Sequence, residues 1–487
     1  MLKSMGLCLK PKKCRSLSFL TGKPSQIEFK VDNDIIQPVN HEESIKFLGS
    51  VVTFRQKPGE IFDHLRDKLN SILENIDKVN IRDEYKLRIC TEYSLPSLRY
   101  ALTVNDLHTT HLKSLDILLD KYLKKWSSIP KRGANIALLH AHKGLNIPNI
   151  SELYRTCHSL AYGRSKLKGD DLVNHALDTR LAREGNWTRK SSTTNDAHVV
   201  FEKSKHNSWK ETKKSIKKSL IEENHAKWKS VIEPLLVQGE FLKILYTEDT
   251  DLSWKAIIYN MPQGVMKFAV NAAIDSLPSN KNLYRWGKRL SDKCSLCNAT
   301  GTLHHVLNNC QAMLNRYSWR HDNILKIILS RIKADKSCKN RQVYADMEGE
   351  TVNGGTIPPS ILPTVQRPDI CYFDQDKKQV VIIELTVPFE TNIRDAHNRK
   401  EDRYAGLFHD LQAAGWRPKL ICFEIGSRGL ITPDNKSRLK LIMGLCNIKV
   451  KYSEIRDAIV KSALMGSYVI FYSRKEPEWH TPQYMNV

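Results

Sequence analysis

The chain has 487 residues, an apolar share of 41% and a formal net charge of +23. That length allows roughly two to four domains, and the apolar share excludes wholesale disorder. The positive charge points to a polyanionic partner, nucleic acid being the usual one, while the lack of an apolar run near the about 20 residues needed to span a bilayer, or of a signal-peptide core, argues against a membrane.

The first predicted elements are short strands. Ser16-Leu17-Ser18-Phe19 and Ile45-Lys46-Phe47-Leu48-Gly49, continued by Val51, Val52 and Phe54, read as a small β-rich piece with two hairpin-like units. Within it, Gly6-Leu7-x-Leu9-x-Pro11-Lys12-Lys13-Cys14 and Phe47-Leu48-Gly49 resemble the last two palm motifs of a reverse transcriptase of the non-LTR retrotransposon type. In that family these motifs follow a catalytic Tyr-x-Asp-Asp loop. The sequence starts just after the place for that loop and contains no Tyr-x-Asp-Asp pair, so no polymerase activity is expected from this chain alone.

From Glu60 to Tyr162 the period becomes helical. Ile61, Leu65, Leu69, Ile72 and Ile76 form one stripe, and Leu112, Leu115, Leu118, Leu119 and Leu123 form another. Residues alone predict a helical bundle, and the resemblance implies a thumb. Arg183 to Asn195 is loop-like in composition and marks a boundary. Lys203 to Lys229 is rich in lysine, with Lys213-Lys214 and Lys217-Lys218 one turn apart and Trp209 and Trp228 interleaved. Lysines neutralise phosphates and indoles stack on bases, so this stretch suits sequence-independent nucleic-acid contact, against the plainer reading of a solvated helix.

Eleven cysteines, an odd number, do not make a disulfide framework, and the expected compartment is reducing, the nucleus or else the cytoplasm. Cys294-x-x-Cys297, His305 and Cys310 stand apart from the rest. Zinc takes four N or S ligands in a tetrahedron, and a Cys-x-x-Cys turn presents two thiolates from one tight loop. Asn298-Ala299-Thr300-Gly301 supplies the reversal, and a short helix carries His305 and Cys310 back. Four ligands leave no open position, so the zinc is structural; His304 remains an alternative fourth ligand. The spacing also resembles the knuckle of site-specific non-LTR elements with a restriction-like endonuclease. Met261-Pro262-Gln263-Gly264 before it and Trp319-Arg320-His321-Asp322 after it fit the same pattern.

Two acids then bracket apolar runs: Asp369 opens Ile370-Cys371-Tyr372-Phe373, and Glu384 ends Val380-Val381-Ile382-Ile383. Asp374 to Lys378 between them is turn-like, predicting a hairpin. An ionised Glu in so apolar a strand needs a partner. On the helix that follows, Ile393, His397, Lys400, Tyr404, Leu407 and Leu411 share a stripe, so Lys400 faces the sheet while Arg399 and Arg403 face solvent. Magnesium takes one or two carboxylates plus water and phosphate oxygens, which Asp369 and Glu384 can supply, with Lys400 orienting water or holding charge. A second metal would need another acid, for which Glu390 is the nearest candidate.

This set resembles the PD-(D/E)xK nuclease plan. The usual lysine position is Thr386, and the restriction-like retrotransposon enzymes move the lysine into a Lys-x-x-Lys-Tyr pattern, here Lys400-Glu401-Asp402-Arg403-Tyr404. An Arg at the second position keeps charge but not geometry. His321 has a weaker claim on the same site. Arg320 and Arg403 join Lys213, Lys214, Lys217 and Lys218 as candidate nucleic-acid contacts.

The resemblance covers nearly the whole chain and implies a multidomain α+β architecture. Its parts are a palm remnant at 1–57, a helical thumb at 58–165, a basic linker at 166–240, a helical region with the CCHC knuckle at 241–315 and an α/β restriction-like nuclease at 316–487. The function expected is magnesium-dependent nicking of duplex DNA, a step that primes reverse transcription in the intact family, with DNA and element RNA as partners. The alternatives are a non-catalytic or domesticated nucleic-acid-binding remnant, and a zinc-dependent protein adapter.

Overall fold

A computed structural model describes residues 10–31, 34–40, 43, 45–47, 50–52, 58–132, 135–185, 193–334 and 340–482. Residues Gly6 to Leu9 and Leu48-Gly49 of the two palm-like motifs lie outside the described residues. The chain is mixed α and β with small sheets, and it divides into two compact units. One comprises Met1–Ile81, Lys86–Tyr122 and Pro148–Asn224; the other comprises Arg82–Tyr85, Leu123–Ile147 and His225–Val487. Among the described residues no helix is long and apolar enough to cross a membrane.

The first unit begins with short strands. Ser18–Leu20 and Lys23–Ser25 form a hairpin whose two loop residues, Thr21 and Gly22, both have positive φ, as a two-residue turn compatible with strand twist demands. Helix Pro58–Lys78 buries Ile61, Leu65, Leu69, Leu73 and Ile76, nearly the predicted stripe, with Leu73 facing inward and Ile72 only partly covered. Helix Ile150–Lys168 starts at Asn149, whose side chain accepts from the Glu152 amide. Tyr162 packs with Ala197, Val200, Phe201, Ile216 and Leu220 into a local core. Arg155 ties this core's edge, pairing with Asp196 and Glu223, both at 2.6 Å. The loop-like stretch of the sequence is partly helical: helices Asp171–Gly185 and Thr193–Ser204 run into it from both sides.

The second unit is built on a four-stranded sheet in the order Arg417–Glu424, Gln379–Thr386, Ile370–Asp374, Arg341–Ala345. Ile370–Asp374 and Gln379–Thr386 make the predicted antiparallel hairpin, closed by a turn in which the Asp374 carboxylate accepts the Lys377 amide. Gln379–Thr386 is parallel to Arg417–Glu424, so the chain must cross over between them, and helix Ile393–Ala413 is that crossover. Val380 to Leu385 is buried throughout because the strand is central and covered on both faces, which explains its unbroken apolar run. On one face Tyr404, Leu407 and Leu411 pack on Cys371, Phe373, Val380 and Ile382. Each such aliphatic side chain contributes about 1.5–3 kcal/mol by leaving water. On the other face lie helices Leu314–Lys333 and Tyr452–Tyr472. They approach closely at Gly466, where a β-carbon would stand 2.6 Å from Arg320 Cγ.

Candidate functional site

The hairpin register sets Asp369 and Glu384 side by side, since Ile370 pairs with Ile383. The Asp369 amide donates to Glu384 Oε1 at 3.0 Å, and Lys400 Nζ lies 2.7 Å from Glu384 Oε2. The lysine reaches this point because the crossover helix packs its Tyr404 face on the sheet and Lys400 sits one turn earlier. Tyr404 also donates its hydroxyl to the Arg367 carbonyl, at 3.3 Å, holding the Arg367-Pro368 lead-in to Asp369. Thus three residues, at two inner strands and on the crossover helix, meet at one end of the sheet.

A fourth side chain joins them from the opposite face. His321, on helix Leu314–Lys333, places Nε2 3.2 Å from Asp369 Oδ2 and 3.2 Å from the Leu385 carbonyl, with Nδ1 3.0 Å from Asp322 Oδ1. Asp369 Oδ2 also accepts the Leu385 amide at 2.7 Å. Oδ1 makes no hydrogen bond among the described residues. Beside the cluster lies a cleft of about 470 Å³ whose lining includes His321, Lys400, Thr386, Asn392, Arg399, Asn308 and Asn309.

Charge balance shapes the titration of the group. Burial of Glu384, which is 0% exposed, and the neighbouring Asp369 charge push its carboxyl up to about 7, against the pull of Lys400. Burial also raises Asp369, but the His321 hydrogen bond and charge, together with Lys400, outweigh it and hold Asp369 below the ordinary carboxylate range. For His321, burial disfavours the cation, yet hydrogen bonds to Asp322 and Asp369 prevail and lift it to about 10. His321 is therefore an imidazolium that donates from both nitrogens.

The Cys–His set is a second constellation in the same unit. Cys294, Cys297, His305 and Cys310 bring their ligand atoms within 4.8 Å of one another. Sγ of Cys310 lies 3.9 Å from Cys294 and 3.6 Å from Cys297, and Cys297 Sγ is 3.2 Å from His305 Nε2. A tetrahedron with Zn–S bonds of about 2.3 Å has S···S edges of about 3.8 Å, so the set fits zinc. The turn forms as expected: Asn298 has φ +56°, and a β-carbon on Gly301 would come within 2.9 Å of Asn280. His305 and Cys310 flank a wide helical turn over His305–Asn309, pinned by the Tyr317 hydroxyl, which takes the Cys310 amide and gives to the Val306 carbonyl. His304 is not the fourth ligand. Its ring stacks on Phe389 at 4.6 Å and its Nε2 faces the Asn309 and Asn392 amides.

Other candidates fall elsewhere. Arg320 is 2% exposed and is spent inside the wall, NH1 donating to Ser467 Oγ and NH2 to the Val387 carbonyl, instead of standing in solvent to meet a phosphate. Glu390, the suggested extra acid, is buried against Arg428, whose Nε is 2.6 Å away, and is committed there. Arg403 is exposed, its guanidinium 5.4 Å from the Tyr404 ring. In the first unit, Lys213, Lys214, Lys217 and Lys218 are all exposed, while Thr212, Ile216 and Leu220 of the same helix are buried. Trp228, expected to stack on bases, is 7% exposed and stacks on His140 instead.

In the sequence His321 has a weaker claim on this site and no visible partner, and Glu424 is not singled out. The His321–Asp369 contact joins residues 48 apart, and only the adjacent Asp322 hinted at it. Glu424, 0% exposed, ends its strand beside Thr386 and binds His397 at 3.0 Å and Arg438 at 3.1 Å. The signal that singled out Glu384, an acid closing an apolar strand, is present there too in Ile421-Cys422-Phe423-Glu424.

No family model matches the chain. It is 21% identical over 422 residues to the retrovirus-related Pol polyprotein from the type-2 retrotransposable element R2DM of Drosophila melanogaster. The match covers 83% of this chain and 35% of that protein, so the chain spans about a third of the relative's length. This similarity supports a non-LTR retrotransposon origin.

Proposed function

We propose that the chain is a metal-dependent endonuclease that nicks duplex DNA, and that its Cys–His cluster holds a structural zinc. The observation that carries this reading is the convergence of Asp369, Glu384, Lys400 and His321, the last two of which line a cleft. Hard carboxylate oxygens suit magnesium, and Asp369 Oδ1 would hold it together with a Glu384 oxygen now engaged by Lys400 or the Asp369 amide. Bound there, the ion would polarise the scissile phosphoryl group and acidify a water.

The chain's own groups do the rest. His321 keeps Asp369 ionised and fixes its rotamer through Oδ2, leaving Oδ1 without a hydrogen bond among the described residues. Glu384 is pushed up to about 7, so it would release its proton when a cation is held beside it. Lys400, 20% exposed and 2.7 Å from Glu384, can meet the negative charge that grows on a pentavalent phosphate. The exposed Lys213, Lys214, Lys217 and Lys218 give a sequence-independent contact to phosphates, for DNA or for RNA. These four cations also favour the second reading, nucleic-acid binding without cutting. A reducing compartment, with the nucleus where the DNA is, follows from both.

The test is nicking of supercoiled plasmid by the full chain with magnesium, beside Asp369→Ala. Nicking by the unmutated chain that falls at least about a hundredfold in the variant supports the proposal. No magnesium-dependent nicking at any salt concentration leaves the binding reading, and equal nicking by both proteins means the chosen residues are wrong.

A further inference from the structure

The segment before the Cys–His cluster has an unusual surface. Tyr284 is 51% exposed, Trp286 38% and Leu290 100%. Large aromatic groups are usually covered in a folded chain, and three large exposed apolar side chains within seven residues make a candidate binding surface. Around them stand Lys281, Arg285, Lys288, Arg289 and Lys293, against a single acid, Asp292, which pairs with Lys281 at 3.1 Å. Cations interleaved with exposed rings are the composition of a surface that takes unpaired nucleotides.

The rings are held on a stiff frame. Helix Asn280–Arg285 is capped at its start by Ser279, whose hydroxyl accepts the Asn282 amide at 3.2 Å. It ends in Gly287, with φ +68°, where the Gly287 amide bonds the Tyr284 carbonyl and the Lys288 amide bonds the Leu283 carbonyl. That paired closure needs the left-handed residue that glycine supplies. A further bond from Asn280 Nδ2 to the Lys293 carbonyl, 2.6 Å, joins the helix to the Cys-x-x-Cys turn. Tyr284 and Trp286 therefore flank a closed turn, and stacking on them would cost little ordering of the protein.

The location supplies the occupant. Lys281 and Arg285 line a hollow of about 340 Å³ whose wall includes His304 and Phe389. Phe389 also lines the cleft that holds Lys400, and His304 contacts Asn309 and Asn392 of that cleft. The two acids of the hollow are engaged, Glu240 with Arg428 at 3.4 Å and Asp275 with Asn282 at 3.3 Å. The two hollows thus share Phe389, with Lys400 lining one and Lys281 and Arg285 the other.

Resting on the nuclease reading, we propose that Tyr284 and Trp286 form a stacking platform for single-stranded DNA, the strand freed at the nick, with Lys281, Arg285 and Lys288 taking its phosphates. A duplex keeps its bases stacked on one another and offers only phosphates, so it would gain nothing from the rings.

The test measures binding by zinc-loaded full chain without magnesium, using fluorescence anisotropy of a labelled dT20 strand, a 20-base-pair duplex and an rU20 strand. Both rings are exposed, so Trp286→Ala and Tyr284→Ala should fold, which one zinc per chain and an unchanged melting midpoint would verify. Each is expected to weaken dT20 on the order of tenfold and the duplex less than twofold. Equal weakening of strand and duplex would overturn the proposal in favour of a general electrostatic surface. Unchanged dT20 affinity would overturn it in favour of a protein-facing patch, and weakening of rU20 alone would reassign the platform to RNA. A chain that never nicks yet shows the expected pattern refutes the nuclease reading and leaves the platform standing. A chain that nicks but binds dT20 equally in all variants loses only the platform.

Discussion

Four side chains meet in each of two places in the second unit, and the two sets balance charge in opposite ways. Cys294, Cys297, His305 and Cys310 are all electron-pair donors, with thiol sulfurs 3.6 and 3.9 Å apart and no cation among them. Asp369, Glu384, Lys400 and His321 are two acids and two bases, with ion-pair distances of 2.7 and 3.2 Å. The first set gains little from its own members, because S–H groups make weak hydrogen bonds. The second is already neutralised from within. A site of the first kind owes its shape to an ion, whereas one of the second kind can hold its shape before an ion arrives.

The largest expected effect tests the first half of that contrast. Cys310→Ala removes a buried ligand, and the chain should lose its one zinc and on the order of 5 kcal/mol of local stability. In hydrogen exchange, amides of residues 303–310 should lose protection while those of Gln379–Thr386 keep it. Nicking should fall as well, because Asn308 of the same turn donates to the Val387 carbonyl at 2.7 Å in the cleft wall. Full protection of 303–310 in the zinc-free variant would break the comparison.

Lys400→Met addresses the second set with a smaller effect. Glu384 is raised from 4.5 to about 7 even with the lysine present, so its burial costs stability increasingly as pH rises between those values and in full above about 7. Taking the lysine away should destabilise the chain by about 3 kcal/mol at pH 8 and by under about 1 kcal/mol at pH 5.5, where the acid is neutral. Urea unfolding at the two pH values measures this. The double variant with Glu384→Gln should recover most of the loss at pH 8, and nicking should stay down about a hundredfold or more in both. A loss independent of pH would mean that Lys400 acts through packing.

How readily each set could be read from the amino-acid order follows from the same contrast. Cys294, Cys297, His305 and Cys310 lie within one short loop and turn, so spacing alone exposes them as a candidate metal set, and only the choice between His304 and His305 needed the fold. Phe389, distant in sequence, decided it by stacking on His304. Asp369 and Glu384 were visible as acids breaking apolar runs, and Lys400 as a cation on an apolar stripe. His321 was a weaker candidate, and its contact with Asp369 was not legible because helix Leu314–Lys333 and the sheet meet only in the folded unit. Arg320 misled for the matching reason. A cation beside a candidate motif reads as a phosphate contact, but the small residue at Gly466 admits it to the interior, where Ser467 and Val387 bind it. The hairpin was plain because alternation and turn residues are local, while the parallel pairing of Arg417–Glu424 required the crossover helix to be placed first.

The smallest effect carries the sharpest pH signature. His321→Gln keeps a donor near Asp369 but removes the charge. The folded value of His321, about 10, exceeds its ordinary value near 6.5, so its contribution is complete below about pH 6.5 and is lost as pH rises towards 10. Asp369 is depressed, so its share is present above about pH 4 and is lost as pH falls. The two windows overlap between about pH 4 and 6.5. There the variant should be roughly 2 kcal/mol less stable than the unmutated chain, and the gap should narrow steadily to near zero at pH 10. Thermal unfolding across that range reads it out. A flat difference would mean that the imidazole is merely a shaped spacer between helix and sheet, and that the second set, like the first, waits for an ion to balance it.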